Sequence, residues 1–395
     1  MGSMCEQEHG GLMNSAAPTN DPACRLLAEL VRIPSVNPMG RAMSGGAYGE
    51  AALAEHVAAF LHRHAIDVHV TEVAPGRPNV TGYVDAGAER TLLLQAHLDT
   101  VHVEGMSIAP FGAEIRDGSL YGRGACDTKG SLAAFLQAVV EAVQHPEKLR
   151  YNIVILATAD EEYQFTGARH AVHSGLKADM GIAGEPTSLR IIRAHKGVVR
   201  WYLRTRGTAA HAAYPARGEN AIYRMGHVLT RLESYARDLA AVTPHPLLGT
   251  PSLSVGVIEG GQAVNIVPDA CRIEIDRRTL PHEDAAEVIE AAGSCLHGID
   301  GWEMAPPHLV AGGMDIAEGA TVVRELSQAI RGVTGGAAVE GAYYATDAGA
   351  FNAGGIPTVV FGPGDIALAH TAAEHIPLAE LRQATAIIRS LLVGH

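Results

Sequence analysis

The sequence predicts an α/β fold that is interrupted by an inserted α+β domain. Two nearly continuous apolar runs, 91–96 and 151–158, are typical of strands buried on both faces of a sheet. A helical pattern over 130–144 lies between them, and strands and helices alternate in this way over about 23–193. From His195 to about Pro306 the strands become amphipathic, which indicates a different kind of sheet.

Apolar residues at helical spacing predict the helices, and continuous or alternating apolar runs predict the strands. The predicted helices are 23–32, 49–64, 130–144, 166–174, 220–239, 284–296, 319–332 and 378–392. The predicted strands are 68–73, 79–84, 91–96, 151–158, 197–205, 252–259, 270–278 and 357–361. We therefore expect a discontinuous catalytic domain, an insert and an N-terminal segment that is disordered or derived from a tag. These are residues 23–194 with 307–395, residues 195–306, and residues 1–22.

Composition excludes several classes of protein. The chain has 395 residues, of which 47% are hydrophobic, and a formal net charge of −13 without any run of Lys or Arg, which disfavours a nucleic acid partner. No apolar stretch approaches the roughly 20 residues of a membrane helix, and 1–23 has no apolar core of signal-peptide type. We expect a soluble, cytoplasmic protein. The five cysteines contain no C-x-x-C pair, so neither a disulfide framework nor a thiolate zinc site is predicted.

His97 and Asp99 stand two residues apart at the end of strand 91–96. Side chains at this spacing share a face of an extended chain. Asp99 can therefore hold the tautomer of His97 while the other ring nitrogen binds a metal. For such a triplet taken alone, a strand end with two satisfied polar side chains is the commoner interpretation, so the metal interpretation depends on the clusters that follow.

A glycine-rich turn at 122–130 directs Asp127 toward a cleft at the start of a helix. The turn lacks both G-x-x-x-x-G-K-[ST] and G-x-G-x-x-G, so a phosphate-binding loop is disfavoured. Acids also follow two buried strands, with Glu161 and Glu162 after 151–158 and Glu185 after a short apolar strand. Because adjacent side chains point apart, one of Glu161 and Glu162 can bind metal while the other stays free as a base.

Taken singly, Glu185 is as consistent with a cap, and His370 with a structural histidine. Taken together, strand ends deliver a set of carboxylates and imidazoles to one rim of the sheet. The set is His97, Asp127, Glu161, Glu162, Glu185 and His370. Four carboxylates that lie close together could not all stay ionised without cations. Imidazole and carboxylate ligands without a thiolate suit two Zn²⁺ ions, with Co²⁺ or Mn²⁺ as substitutes.

Five motifs jointly resemble those of the co-catalytic zinc acylases and exopeptidases, a family that includes acetylornithine deacetylase, succinyl-diaminopimelate desuccinylase, aminoacylase and carboxypeptidase G. The motifs are H-L-D-T at 97–100, G-R-G-A-C-D-T-K-G at 122–130, A-D-E-E at 159–162, G-E-P-T at 184–187 and A-H-T at 369–371. The resemblance covers nearly the whole chain. It implies a mixed-sheet, zinc-exopeptidase-like catalytic domain, a ferredoxin-like lid or dimerisation domain at 195–306, a homodimer formed through that lid, and a cis peptide after Asp127.

The resemblance also implies roles for individual residues. Asp127 matches the ligand that bridges two metals, His97 and Glu185 complete one metal site, and Glu162 and His370 complete the other. Glu161 matches the general base, and Asp99 the residue that orients His97. Four residues match or adjoin substrate contacts: Asn265, Arg278, Tyr214 and Gly362. His211 matches a histidine that enters the partner subunit's active site and stabilises the oxyanion, although its own sequence context is that of an ordinary loop histidine.

We therefore expect a homodimeric two-zinc amidohydrolase that cleaves a small N-acyl amino acid. One alternative keeps the metals and changes the bond, as in a dipeptidase, a carboxypeptidase, or an amidohydrolase or deaminase of a small non-peptide C–N bond. Another is a catalytically silent binding protein on the same fold. A catalytically silent protein is expected to lack a metal ligand or the general base, and this sequence lacks none of them.

Overall fold

The computed structural model describes residues 20–43 and 45–394, so the predicted N-terminal segment 1–22 lies almost wholly outside the described residues. The helices within these ranges are α1 (Pro22–Arg32), α2 (Ala51–Arg63), α3 (Lys129–Ala142), α4 (Thr166–His173), α5 (Ala221–Ala240), α6 (Ala285–Ser294), α7 (Thr321–Thr334), α8 (Ala348–Ala353) and α9 (Leu378–Val393). The strands are β1 (Asp67–Ala74), β2 (Arg77–Val84), β3 (Thr91–His97), β4 (Glu114–Arg116), β5 (Ser119–Tyr121), β6 (Asn152–Thr158), β7 (Met180–Ala183), β8 (Ile191–His195), β9 (Gly197–Arg206), β10 (Ala210–His211), β11 (Ser252–Gly260), β12 (Ile266–Val267), β13 (Ala270–Thr279), β14 (Trp302–Met304), β15 (Leu309–Ala311), β16 (Met314–Asp315), β17 (Val339–Ala342), β18 (Thr358–Val360) and β19 (His375–Pro377).

Side-chain caps fix the start of two helices. The Asp21 carboxylate accepts a hydrogen bond from the Cys24 amide at 3.0 Å, and Pro22 occupies the first turn of α1, where its missing N–H costs nothing. The Asn220 side chain caps α5 by accepting from the amides of Ile222 and Tyr223. These caps explain why α1 and α5 begin within one residue of their predicted starts.

The larger sheet has the order β1-β2-β6-β3-β7-β18-β8-β16, with β17 beside β8. Strand β3 pairs in parallel with both β6 and β7, whereas β1, β2 and β16 pair antiparallel with their neighbours. The predicted α/β fold with a mixed sheet is therefore confirmed. Because β3, β6 and β7 are parallel, their carboxyl ends meet at one edge, and His97 lies opposite Thr158.

Helices cover both faces of this sheet. Leu92 and Leu94 of β3 belong to a core that includes side chains of α1, α3, α7 and α9. Leu93, between them, belongs to a separate core with Ala168 of α4 and Phe351 of α8. The strand is thus apolar on both faces, which explains its continuous run of hydrophobic residues.

The smaller sheet has the order β11-β13-β9-β14, with β15 also pairing with β9, and every pair is antiparallel. With α5 and α6 the chain order is β-α-β-β-α-β, the ferredoxin-like arrangement. One face packs on these helices through a core that includes Trp201 and Met225. Strand β15 ends at Ala311, so the sheet extends past the predicted boundary at 306. The division into a catalytic domain and a lid stays a prediction.

Over the part of the chain that is described, no helix has both the length and the apolar character needed to cross a bilayer. Cys126, Cys271 and Cys295 are free thiols.

Candidate metal centre

The carboxyl edge of β3, β6 and β7 carries a cluster of ionisable side chains. His97 ends β3, Glu161 and Glu162 follow β6, and Glu185 follows β7. Asp127 precedes α3, and His370 lies in the loop after β18. All of these except His97 line one cavity of about 190 Å³, and His97 is fully buried in contact with Asp127. The structure thus brings together the six side chains that the motifs single out.

Asp127 lies between two imidazoles. Its Oδ1 is 3.0 Å from His97 Nε2, and its Oδ2 is 3.2 Å from His370 Nε2. Glu185 Oε1 lies 3.9 Å from His97 Nε2, and Glu162 Oε2 lies 3.2 Å from His370 Nε2. Two ligands of one tetrahedral zinc ion are roughly 3.3 Å apart. The spacings therefore fit two ligand groups that share Asp127.

The hydrogen bonds of His97 show that a cation is needed between its imidazole and the Asp127 carboxylate. His97 Nδ1 is 2.9 Å from the carbonyl oxygen of Asp99, which can only accept, so Nδ1 carries the proton. Nε2 is then a bare acceptor, yet it faces the Asp127 carboxylate, another acceptor. Such a pair is stable only with a second proton or a metal ion between the two atoms. These residues fit a divalent metal.

The electrostatics of the cluster also favour added positive charge. Burial, with the neighbouring Asp127, raises the pKa of Glu162 to about 7, and burial raises the pKa values of Glu161 and Glu185 well above their usual range. Asp127 and Glu162 together raise the pKa of His370 to about 10. The buried carboxylates therefore compete for protons unless cations neutralise them.

Asp99 positions the loop that carries the two glutamates. Its carboxylate accepts hydrogen bonds from the amides of Glu161 and Glu162, at 3.1 and 3.0 Å, and from Asn37 Nδ2 at 2.7 Å. The carboxylate lies 3.6 Å from His97 Nδ1, so the short contact to the ring is made by the Asp99 carbonyl. The sequence predicts that the Asp99 side chain orients the imidazole, and the structure adds that this side chain also holds the 161–162 backbone.

Glu374 supports the site and was missed by the sequence reasoning. This fully buried carboxylate accepts hydrogen bonds from the amides of Cys126 and Asp127, at 2.9 and 3.0 Å, and pairs with Arg123 at 2.7 Å. It stands four residues after His370, and it therefore links the segment that carries His370 to the turn that carries Asp127. The available signal was an acid so close in sequence to the predicted ligand His370.

We expect Glu374→Gln to weaken metal binding by roughly 10- to 100-fold, the usual cost of losing an outer-shell partner. The amide cannot accept from both backbone N–H groups with the same strength, and it leaves Arg123 without its buried counter-charge. Metal affinity would be measured by competition with a chelator, after circular dichroism has shown that the variant is folded. Glu141→Gln, at a partly exposed ion pair with Arg389, is the matched control. Equal affinity in both variants would contradict this role.

Gly362 is explained by packing. It is buried, and a Cβ atom there would lie 2.2 Å from Ser131 Oγ and 2.5 Å from the carbonyl oxygen of Glu185. Glycine thus lets the 361–364 turn approach the backbone that holds Glu185. Gly362 does not line the cavity, so the structure does not bring this predicted substrate contact to the site.

The predicted substrate residues of the insert are placed differently. Arg278 lines the cavity, together with Tyr344 from the larger sheet's side. His211 lies on β10, which pairs with β12 next to Asn265, and Tyr214 follows β10. His211 and Tyr214 are exposed, and none of these three residues lines the cavity of their own chain.

Comparisons with known proteins identify the family. The model of "Peptidase family M20/M25/M40" matches residues 93–393. Acetylornithine deacetylase of Myxococcus xanthus is 36% identical over 308 residues, which cover 75% of this chain and 78% of that protein. Acetylornithine deacetylase of Pasteurella multocida is 35% identical over 320 residues, covering 78% of this chain and 80% of that protein.

A solved structure has the same fold. The M20 family metallo-carboxypeptidase Sso-CP2 from Sulfolobus solfataricus superposes with a TM-score of 0.78 at 20% identity, covering 94% of this chain and 98% of that one. The predictions of a metal-binding hydrolase and of metal-dependent amide hydrolysis are confirmed by the family match and the relatives. The chain belongs to peptidase family M20/M25/M40.

Proposed function

We propose that this protein is a two-zinc deacylase that hydrolyses an N-acyl amino acid to a carboxylic acid and a free amino acid. The observation that supports this most directly is the pair of ligand groups that share Asp127, with Glu161 beside them in the same cavity. Among the described residues, no side chain or backbone group donates a hydrogen bond to the Glu161 carboxylate, which lies within 4.8 Å of the His97 imidazole. It is therefore free to exchange a proton with substrate or water. The similarity to acetylornithine deacetylases supports the deacylase activity.

Two cations would be held by His97, Asp127 and Glu185, and by His370, Asp127 and Glu162. Once bound, they supply Lewis acidity and lower the pKa of the attacking water. Two divalent charges also balance the four carboxylates of the cluster, and oxygen and imidazole ligands suit Zn²⁺. Elemental analysis of the purified protein tests both the identity of the metal and the number of ions.

Glu161 acts as the general base and then as the acid. Burial raises its pKa well above the usual range, so its carboxylate takes a proton from the attacking water readily and can hold it. The same carboxyl group then delivers the proton to the leaving nitrogen. Arg278, which lines the cavity, binds the carboxylate of the amino acid through its planar guanidinium.

The homodimer is proposed to form through the lid, around the β10–β12 ladder. Tyr223 is 73% exposed, Val264 is fully exposed, and both line a groove of about 860 Å³ beside this ladder. Apolar side chains displayed together on a surface are typical of a protein interface. In such a dimer His211 reaches the partner's cavity, where it stabilises the oxyanion that forms as water adds to the amide.

Mixing two inactive variants tests this arrangement. We expect His211→Ala and Glu161→Gln each to lose activity, and the mixed dimers to regain it, because the His211→Ala protomer keeps its own Glu161 and receives His211 from the other protomer. Random exchange makes about half of the dimers mixed, each with one complete site, so activity should reach about a quarter of the wild-type value. Steady-state kinetics after subunit exchange measure this. Absence of any recovery, with exchange verified by native mass spectrometry, would place His211 outside the partner's site.

The proposed reaction is tested directly by mass spectrometry. The zinc-loaded protein is incubated with N-acetyl, N-succinyl and N-aroyl amino acids and with dipeptides, with and without a chelator. Chelator-sensitive release of one acyl group as a free acid is the expected result. Cleavage of dipeptides alone would make the protein a peptidase instead, and release of ammonia would indicate hydrolysis of a non-peptide C–N bond.

A further inference from the structure

We propose that Arg200 is a specificity-determining residue that selects N-acyl amino acids carrying a second carboxylate. This inference rests on the proposed deacylase function and names its class of substrate. It concerns the wall of the cavity opposite the metal ligands. That wall is formed by the smaller sheet, through Val198, Arg200, Arg278 and Leu309.

Strand register places these four side chains on one face of the smaller sheet. On β9, Val198 and Arg200 are two residues apart, and they lie opposite Arg278 and Asp276 of β13 respectively. Leu309 of β15 lies opposite Arg200. Residues directly opposite each other, and residues two apart along a strand, share a face. The alternate residues, such as Trp201, point into the core with α5 and α6.

Asp276 holds two guanidinium groups side by side. Its carboxylate accepts from Arg200 Nε at 2.7 Å, and from Arg278 Nε and Nη2 at 2.7 and 3.3 Å. Two cations thus share one anion, and the wall keeps an excess positive charge. In the described part of the chain, neither terminal nitrogen of Arg200 has a hydrogen-bond partner, although its side chain is only 39% exposed. Those N–H groups are available to a ligand in the cavity.

Outside the metal cluster, no described residue that lines the cavity supplies a carboxylate for the basic side chain of a substrate. The acidic residues that line the cavity are all members of the metal cluster: Asp127, Glu161, Glu162 and Glu185. On the wall that carries the arginines, Asp276 is already paired with both of them. A buried ammonium group without a counter-charge is strongly disfavoured, and two guanidinium groups add repulsion. The cavity therefore differs from what an acetylated basic amino acid requires.

A substrate with two carboxylates can pair with both guanidinium groups of this wall. One carboxylate pairs with Arg278 and the second with Arg200, whose planar fork suits bidentate binding. The second carboxylate has two possible sources, the acyl group, as in a succinyl amide, or the side chain of the amino acid, as in glutamate. Both place the same chemical group against the same guanidinium.

Four substrates separate these sources. They are N-succinyl-L-leucine, N-acetyl-L-glutamate, N-acetyl-L-leucine and N-acetyl-L-ornithine. We expect kcat/KM of the zinc-loaded wild-type protein to be highest for one of the first two and lowest for the ornithine derivative. Arg200→Gln should lower kcat/KM for that preferred substrate by roughly 10- to 100-fold, the effect of a lost charged hydrogen bond. For N-acetyl-L-leucine the loss should stay below about threefold.

Arg204→Gln is the matched control, since Arg204 lies on the same face of β9 but outside the cavity, beside Glu303 at 3.9 Å. A preference of the wild-type protein for N-acetyl-L-ornithine would overturn the inference. An equal loss for all four substrates in Arg200→Gln would also overturn it, because Arg200 would then only support Asp276 and Arg278.

Hydrolysis assays test the deacylase function, and binding measurements test the role of Arg200 separately. If the wild-type protein hydrolyses none of the four, the deacylase proposal fails. Titration calorimetry of the same compounds, with wild type and Arg200→Gln, then decides the role of Arg200. Tighter binding of a dicarboxylate than of N-acetyl-L-leucine, lost in the variant, supports the selection. Equal binding of both compounds contradicts it.

Discussion

Glu161→Gln is expected to lower kcat by roughly 10²- to 10⁴-fold, the usual contribution of a positioned general base, while metal content stays intact. Glutamine has nearly the same shape, and the amide of residue 161 still donates to Asp99, so the loop keeps its conformation. The side-chain amide cannot take a proton from water or return one to the leaving nitrogen. Steady-state kinetics and elemental analysis of the same preparation measure both quantities.

Two outcomes would contradict this assignment in different ways. Wild-type-like turnover would show that another group is the base. Loss of metal would show that Glu161 is a ligand, an arrangement compatible with its geometry, since His97, Glu161 and Glu185 offer donor atoms within 4.8 Å of one another. Glu147→Gln, an exposed glutamate at the surface, serves as the control for the effect of removing one negative charge.

Asp127→Ala is expected to lose both metal ions and nearly all activity. One Asp127 oxygen faces His97 and the other faces His370, so its removal takes a ligand from each group at once. We expect metal affinity to fall by more than 100-fold, beyond the 10- to 100-fold cost of an outer-shell partner. Isothermal titration with Zn²⁺ measures the stoichiometry and affinity, and circular dichroism confirms that the variant is folded.

The control for Asp127→Ala is Asp117→Asn. Asp117 is exposed and has a backbone φ of 49°, a left-handed conformation that asparagine also adopts. Retention of two ions at unchanged affinity in Asp127→Ala would show that the two groups do not share this carboxylate. Loss of a single ion would assign Asp127 to one group only.

Much of the site was predictable because it depends on local sequence and on one topological rule. The strands that end at His97 and Thr158 are continuous apolar runs, and their parallel pairing brings their carboxyl ends together. Polar residues that follow buried strands therefore had to meet at this edge. The cis peptide between Asp127 and Thr128 was implied by the family resemblance and is present.

Other features depend on contacts between distant parts of the chain. Glu374 is 247 residues from Asp127, and Asn37 is 62 residues from Asp99, so no local pattern connects either pair. Gly362 is a further example, because the structure shows its packing against Ser131 and the Glu185 backbone, while its role as a substrate contact stays a prediction. A motif shows that a residue matters, whereas the reason is found in its neighbours in space.

The sequence by itself predicted the longer helices and strands, the family and the six ionisable residues that meet at one sheet edge, because hydrophobic periodicity and strand-end motifs are local properties of the chain. It did not predict short strands such as β4, β10 and β12. Tertiary structure alone decided which atoms face each other. Asp127 lies between two imidazoles, and Asp276 holds Arg200 beside Arg278, because sheet register and loop packing fix these distances. The strength of these ion pairs changes when the distance between the charged atoms changes by a few ångströms. The order of residues along the chain does not specify those distances.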